Sequence, residues 1–213
     1  MKTEDSIQAT VADLSHDGRG VVKVEGRVYF VPGVLPDEQI TFKPRKKRRG
    51  QFAGELTSID QPSPDRVEPA CRYFGVCGGC TLQHLSSSRQ LDLKQKQMLD
   101  ALERIGRVVP REIMVPLAGP AWGYRRKARP GCKYVEKKGG ILVGFREQGT
   151  SYLTSLKSCE TLRPELSALL SPLHELIGSL NCYKQVPQIE MAAADNGVAL
   201  VIRHLVPLTN SDR

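Results

Sequence analysis

Three cysteines within ten residues, Cys71-Arg-Tyr-Phe-Gly-Val-Cys77-Gly-Gly-Cys80, constrain this chain more than any other feature. The C-x5-C-x2-C spacing lets one loop offer several thiolates, and Gly75, Gly78 and Gly79 permit the positive φ values that wrap backbone around a bulky ligand. Backbone N–H groups freed by such turns can point at the sulfurs of a cluster and tune it. Cys132, Cys159 and Cys182 bring the total to six. An even count suggests disulfides in a secreted chain, but Met1-Lys2-Thr3-Glu4-Asp5 has no apolar signal-peptide core, so metal binding is the expectation. A fourth ligand is needed. Cys159 lies in a loop between a strand and a helix, able to fold back toward the first segment. Cys132 lies in a strand pattern and Cys182 just past a helix, places where a small thiol is more often simply buried. His84, four residues after Cys80, would complete a Cys3His zinc site. A four-thiolate cluster, a zinc site and no metal at all stay open on these residues, whereas the C-x3-C-x2-C of a radical-SAM enzyme is not matched.

On either side of this segment the hydrophobic pattern differs. Residues 6–60 alternate as short strands punctuated by Gly18, Gly20, Gly26, Pro32, Gly33 and Pro36, with Glu25-Gly26 as a two-residue hairpin signal. About five strands without helical periodicity predict a small closed barrel of the oligonucleotide-binding type. Residues 60–65, rich in proline and polar groups, read as a linker. Ser86 to Ser88 can cap a helix with Leu91, Met98, Leu102 and Ile105 on one core face and Gly106 as its stop. Three strands are expected over 124–156, one helix over about 164–180, and a hairpin from Gln188 to His204 turning at Asp195-Asn196-Gly197. Thr209 to Asp212 has a helix-start composition. The fold class is mixed β and α/β: a five-stranded barrel over 1–62, a cysteine-rich segment over 63–90 and an α+β domain over 91–213. No apolar run approaches the roughly 18 residues of a membrane span, so the chain is expected to be soluble, cytoplasmic and free of membrane contact.

The formal charge is +8, from 31 Lys and Arg against 23 Asp and Glu. Such a balance favours a polyanionic partner. Charges of the two signs cancel over residues 1–70, yet the densest basic run, Lys43, Arg45, Lys46, Lys47, Arg48 and Arg49, lies there on the predicted barrel. Tyr29, on the opposite strand face from Phe30, is the expected base-stacking ring beside it. The second basic segment is Trp122 to Arg129, where Arg125, Arg126, Lys127 and Arg129 fall within five residues. In an extended strand Arg125, Lys127 and Arg129 share one face, a row close to phosphate spacing on a single strand.

The triple-cysteine segment with its following Leu82-Gln-His84 resembles a known family. So do Tyr29-Phe-Val-Pro-Gly33, Trp122-Gly-Tyr-Arg-Arg-Lys-Ala-Arg129, Val143-Gly-Phe-Arg146, Cys159 and Ile202-Arg-His204. The family is the 23S rRNA (uracil-5-)-methyltransferases of the RumA or RlmD type. The resemblance implies a TRAM domain (a small RNA-binding barrel), a [4Fe-4S] cluster and a central α+β domain gripping 23S rRNA, with Cys71, Cys77, Cys80 and Cys159 at the family's ligand positions. It further implies a following Rossmann-like domain that binds S-adenosylmethionine and carries a nucleophilic cysteine and a general-base glutamate. No glycine-rich donor site and no such nucleophile can be recognised here, so no catalytic or S-adenosylmethionine-binding residue is assigned. The chain is therefore expected to be the N-terminal part of such an enzyme, monomeric, without DNA as a partner and inactive alone. The alternative is a standalone zinc-dependent RNA-binding protein.

Overall fold

The computed structural model describes residues 6–48 and 50–213, leaving aside the side chains of residues 46–48. Five strands, β1 (Ile7–Leu14), β2 (Gly20–Val24), β3 (Arg27–Val31), β4 (Gln39–Arg48) and β5 (Gln51–Gln61), close into the expected barrel in the order β1-β2-β3-β5-β4. β3 and β5 run parallel, with Tyr29 beside Phe52, and the other neighbours are antiparallel. Closure leaves no unpaired sheet edge. Alternation fills the interior: Val11, Val22, Tyr29, Val31, Ile40 and Phe42 point inward with Val34. Backbone at Gly54 passes so close to the core that a Cβ would stand 2.6 Å from the Phe42 ring and 2.7 Å from Val31. At the β2–β3 turn Glu25 and Gly26 both take left-handed φ, 47° and 73°, as the two-residue hairpin demands.

Tyr29 is not the exposed stacking ring expected of it. Its side chain is buried, 5.3 Å from the Phe42 ring and 5.6 Å from that of Phe52. The alternation that carries Val31 inward carries Tyr29 with it. Phe30 takes the outer face instead, under the Arg19 guanidinium 4.6 Å from its centroid.

The segment expected as a linker is also tied down. β5 continues through Asp60 and Gln61, and the fully buried carboxylate of Glu38 then captures the residues just past the strand end. It accepts from the Leu35 N–H at 2.8 Å, the Ser63 N–H at 3.2 Å and Arg66 Nε at 2.6 Å. Two prolines stop a helix or a strand from continuing, but they do not stop an ion pair from anchoring the chain.

Contacts divide the protein into two compact units, one of residues up to Pro69 with Thr81–Ala118, the other of Ala70–Cys80 with Gly119–Arg213. The partition at 62 and 90 follows composition, whereas this one follows packing. In the first unit, α1 (Ser87–Arg104) lies against the barrel through Leu93, which packs on Leu14, Leu35 and Leu85, and through Lys96 with Asp13 at 3.0 Å. This overturns the expected core face, because no residue of the helix is fully buried and Met98, Leu102 and Ile105 are exposed. Leu91, Met98 and Leu102 instead line an open groove with Pro110, Ile113 and Met114.

In the second unit β6 (Lys127–Ala128), β7 (Gly131–Val135), β8 (Gly140–Arg146), β9 (Leu153–Ser155), β10 (Gln188–Ala193) and β11 (Val198–Arg203) form one sheet in the order β11-β10-β7-β8-β9, with β6 also on β10. The expected single helix is two, α2 (Pro164–Ser167) and α3 (Leu170–Ser179). Pro172 explains the break, since it has no N–H to give the Ala168 carbonyl and its ring would clash there, whereas in the first turn of α3 it is tolerated. Leu166, Leu170, Leu173 and Ile177 bury against Val143, Ile189 and Met191. Thr209 and Asp212 close a capping box around one 3₁₀ turn, and Asp212 also accepts the Asn181 N–H at 2.7 Å.

Burial pushes the Glu38 carboxyl up, but the bonds from Arg66, Leu35 and Ser63 outweigh it and hold it below the usual carboxylate range. Its contribution to stability is therefore present at neutral pH and lost as the pH falls through the lowered folded value. Glu38→Gln should cost about 3 kcal/mol at pH 7 in urea unfolding, as removal of one partner from a buried pair does. The variant should also lose less stability than the parent between pH 5 and pH 3.

Candidate metal centre and nucleic-acid interface

The cysteine loop folds as a run of tight turns. The N–H groups of Phe74 and Cys77 bond back to the carbonyls of Cys71 and Tyr73, both at 2.9 Å, with Gly75 at φ 85° between them. The loop is then sewn to the end of β8: Gly78 N–H donates to the Arg146 carbonyl at 2.8 Å and Gln148 N–H to that of Val76 at 2.9 Å. A Cβ on Gly78 would stand 2.9 Å from the Arg146 oxygen, so the approach itself requires glycine.

Cys159 arrives from the loop after β9, and Tyr73 joins the two loops. Its hydroxyl accepts the Lys157 N–H at 3.1 Å. The Cys159 N–H donates to Ser167 Oγ at 2.8 Å, and its sulfur lies 3.3 Å from the Thr161 hydroxyl, whose residue is buried. The Cys71 thiol feels the charge of Cys80 and Cys159, and the Cys77 thiol that of Cys80, Cys159 and Cys71. Burial pushes the Cys71 and Cys77 thiols up, the neighbouring sulfurs push further, and N–H groups of Tyr73 and Gly79 pull the other way. All four cysteines are half-buried, and backbone donors approach Cys71 and Cys77. Among the described residues no three His, Cys, Asp or Glu side chains are drawn to one point closely enough for a single ion.

The other candidates are engaged elsewhere. Cys132 and Cys182 are buried in the core of the second unit, and burial pushes the Cys132 thiol up to about 12. His84 is buried within the first unit; that burial pushes its ring toward the neutral form, as does the Arg66 charge, against a bond with the Val34 backbone.

Of the basic segments, Lys43 and Arg45 stand on β4, with Arg45 paired to the Glu55 carboxylate. Lys46, Lys47 and Arg48 side chains and the whole of Arg49 lie outside the described residues. In the second segment only Lys127 and Ala128 are strand, so the row of alternate cations is not continuous. Arg125 is half-buried, bonded through its backbone to Thr161 and Arg163. Arg126 meets Asp195 at 2.8 Å, Arg129 meets Glu190 at 3.5 Å, and Lys127 makes no ion pair among the described residues. Exposed pairs of this kind contribute little, and a phosphate can replace the carboxylate. Arg203, within the Ile202-Arg-His204 segment, shares Glu190 at 2.6 Å, and Arg163 is paired with Glu165.

No protein-family model matches the chain. Among curated proteins it is 49% identical over 212 residues to the 23S rRNA (uracil(1939)-C(5))-methyltransferase RlmD of Nitrosococcus oceani, covering 99% of this chain and 47% of that one. To the RlmD of Aromatoleum aromaticum it is 45% identical over 204 residues, covering 96% of this chain and 47% of that one. The chain belongs with the N-terminal part of the RlmD family. It spans about half the length of these relatives. Among solved structures, the Pyrococcus abyssi tRNA (uracil-54, C5)-methyltransferase in complex with S-adenosyl-L-homocysteine shares the fold. Its TM-score is 0.66 at 22% identity, over 92% of this chain and 44% of that one. No described helix is long and apolar enough to cross a membrane.

Brief iodoacetamide treatment of chelator-washed, folded protein should label Cys71, Cys77, Cys80 and Cys159, read by peptide mass spectrometry. Cys132 and Cys182 should react only after denaturation, because their side chains are buried out of the reagent's reach.

Proposed function

We propose that this chain is the RNA-gripping part of an S-adenosylmethionine-dependent 23S rRNA uracil-C5 methyltransferase, serving formation of 5-methyluridine. The observation that carries the reading is the 49% identity to an RlmD protein along nearly the whole chain. Methyl-donor binding and the reacting groups then belong to the portion of RlmD relatives that this chain does not span, and no residue here is assigned to either.

Cys71, Cys77, Cys80 and Cys159 would hold a [4Fe-4S] cluster. The support is the charge of Cys80 and Cys159 felt at both Cys71 and Cys77, and the joining of the two loops by Tyr73. Such a group would supply a covalent cross-link between loops about 80 residues apart, an effect of the same kind as a disulfide closing a long loop. The chain's own residues would do the binding: Lys43 and Arg45 on the barrel with Lys46, Lys47, Arg48 and Arg49, and Arg125, Arg126, Lys127 and Arg129 on the second unit. Each exposed cation that trades a carboxylate for a phosphate releases a counterion from the RNA.

Two measurements test the reading. Protein purified without oxygen should be brown, and serine at any one of Cys71, Cys77, Cys80 or Cys159 should remove the colour while serine at Cys132 or Cys182 leaves it. A colourless protein carrying one zinc that is lost in His84→Ala would replace the cluster by a Cys3His site. In RNA titrations log K should fall with log salt at about 0.7 per phosphate neutralised. Replacing Arg125, Lys127 and Arg129 together by alanine should flatten that slope by about two contacts' worth, and an unchanged slope would place those cations outside the interface.

A further inference from the structure

We propose that Trp122 and Tyr124 form a platform on which unpaired RNA bases stack, an inference that rests on the RNA-binding reading and names where bases, as distinct from phosphates, are met. Both rings are left in solvent, Trp122 at 39% and Tyr124 at 50% exposure. The core of the same unit is built from aliphatic residues and buried cysteines, with Tyr73 and Phe145 only at its margin. Leaving two large rings outside forgoes the burial energy that aromatic side chains ordinarily contribute.

Exposure is not accompanied by loose backbone. Gly123 N–H donates to the Glu160 carbonyl at 2.9 Å, Arg125 N–H to that of Thr161 at 2.9 Å, and Arg163 N–H to that of Arg125 at 3.1 Å. This short ladder brackets Tyr124 and begins at the residue after Trp122. Between them Gly123 sits at φ 63°, a left-handed kink with a single neighbour, Pro164 Cδ, 3.8 Å from where a Cβ would be. Space would admit alanine there, and the dihedral angle is what selects glycine. Rings carried on a backbone already fixed lose little further freedom when a base settles on them.

The surrounding charge selects the ligand. Arg125, Arg126 and Lys127 follow directly in sequence, and Arg163 joins from across the ladder. Aromatic faces for bases beside cations for the backbone is the arrangement that holds single-stranded nucleic acid. In a duplex the base faces are already stacked, so an unpaired segment is the better fit. The partner acid of Arg126, Asp195, is itself solvent-exposed and easily exchanged for a phosphate.

Trp122 is the one tryptophan of the chain, so its fluorescence reports on the site without labelling. Titration with a ten-nucleotide oligouridylate should quench that emission, and a duplex RNA of equal length should leave it nearly unchanged at the same occupancy. Trp122→Ala should weaken oligouridylate binding about 5- to 150-fold, the range for loss of one stacked base. Its salt slope should stay as in the parent, and Trp122→Phe should restore most of the affinity. Equal quenching by the duplex, or parental affinity in Trp122→Ala with RNA still bound, would overturn the platform and leave the RNA reading standing. Failure of the parent to bind any RNA would remove both. Because the quenching arm uses the unaltered protein, a variant that misfolds does not decide the matter.

Discussion

A fully buried carboxylate must be compensated by its neighbours, and Glu38 shows what that compensation organises. Its oxygens take the N–H of Leu35 in the turn before β4, the N–H of Ser63 beyond the end of β5, and the guanidinium of Arg66. Arg66 reaches on to the Gly33 carbonyl at 2.9 Å, so one ion pair fastens the loop from β3 to β4 to the strand that leaves the barrel. The next residue, Val67, donates to the His84 carbonyl at 3.0 Å, which fixes the start of the segment leading to α1. Everything that exits the barrel does so from a point set by this charge.

A comparable logic governs the cysteine loops. Gly78 is pressed against Arg146, Tyr73 holds Lys157, and Ser167 at the end of α2 holds the Cys159 amide. The backbone at Cys71, Cys77 and Cys159 is therefore secured by ordinary hydrogen bonds. The ladder from Glu160 to Arg163 carries that order on to Gly123 and Arg125. The cysteine centre and the basic segment thus share one short stretch of backbone, and the proposed cluster would stiffen the surface proposed to bind RNA.

Much of this is readable in the sequence because it rests on local rules. Strand alternation and turn glycines specify five strands in a closed barrel, Gly106 marks the end of α1, and Asp195 to Gly197 mark the last hairpin. The cysteines are legible as a group because their spacing is a chemical pattern. The features that escape depend on three-dimensional context. Tyr29 and Phe30 lie on opposite strand faces, which alone leaves open which ring turns inward, and the inward Val31 two residues on decides for Tyr29. The α1 stripe of Leu91, Met98 and Leu102 has the period of a core face, and periodicity cannot say what covers it. Arg126 and Arg129 read as free cations because Asp195 and Glu190 lie more than sixty residues away in sequence.

The discontinuity of the two units has a consequence during synthesis. Cys80 leaves the ribosome 79 residues before Cys159, and the whole of α1 is made in between. At about 5–20 residues per second, that is an interval of roughly 4–16 seconds. β8, whose end bonds to this loop through Arg146, is finished only 13 residues before Cys159, so for most of that interval the loop of Cys71, Cys77 and Cys80 lacks the strand it packs against. The nascent chain therefore carries three closely spaced thiols well before the fourth is made.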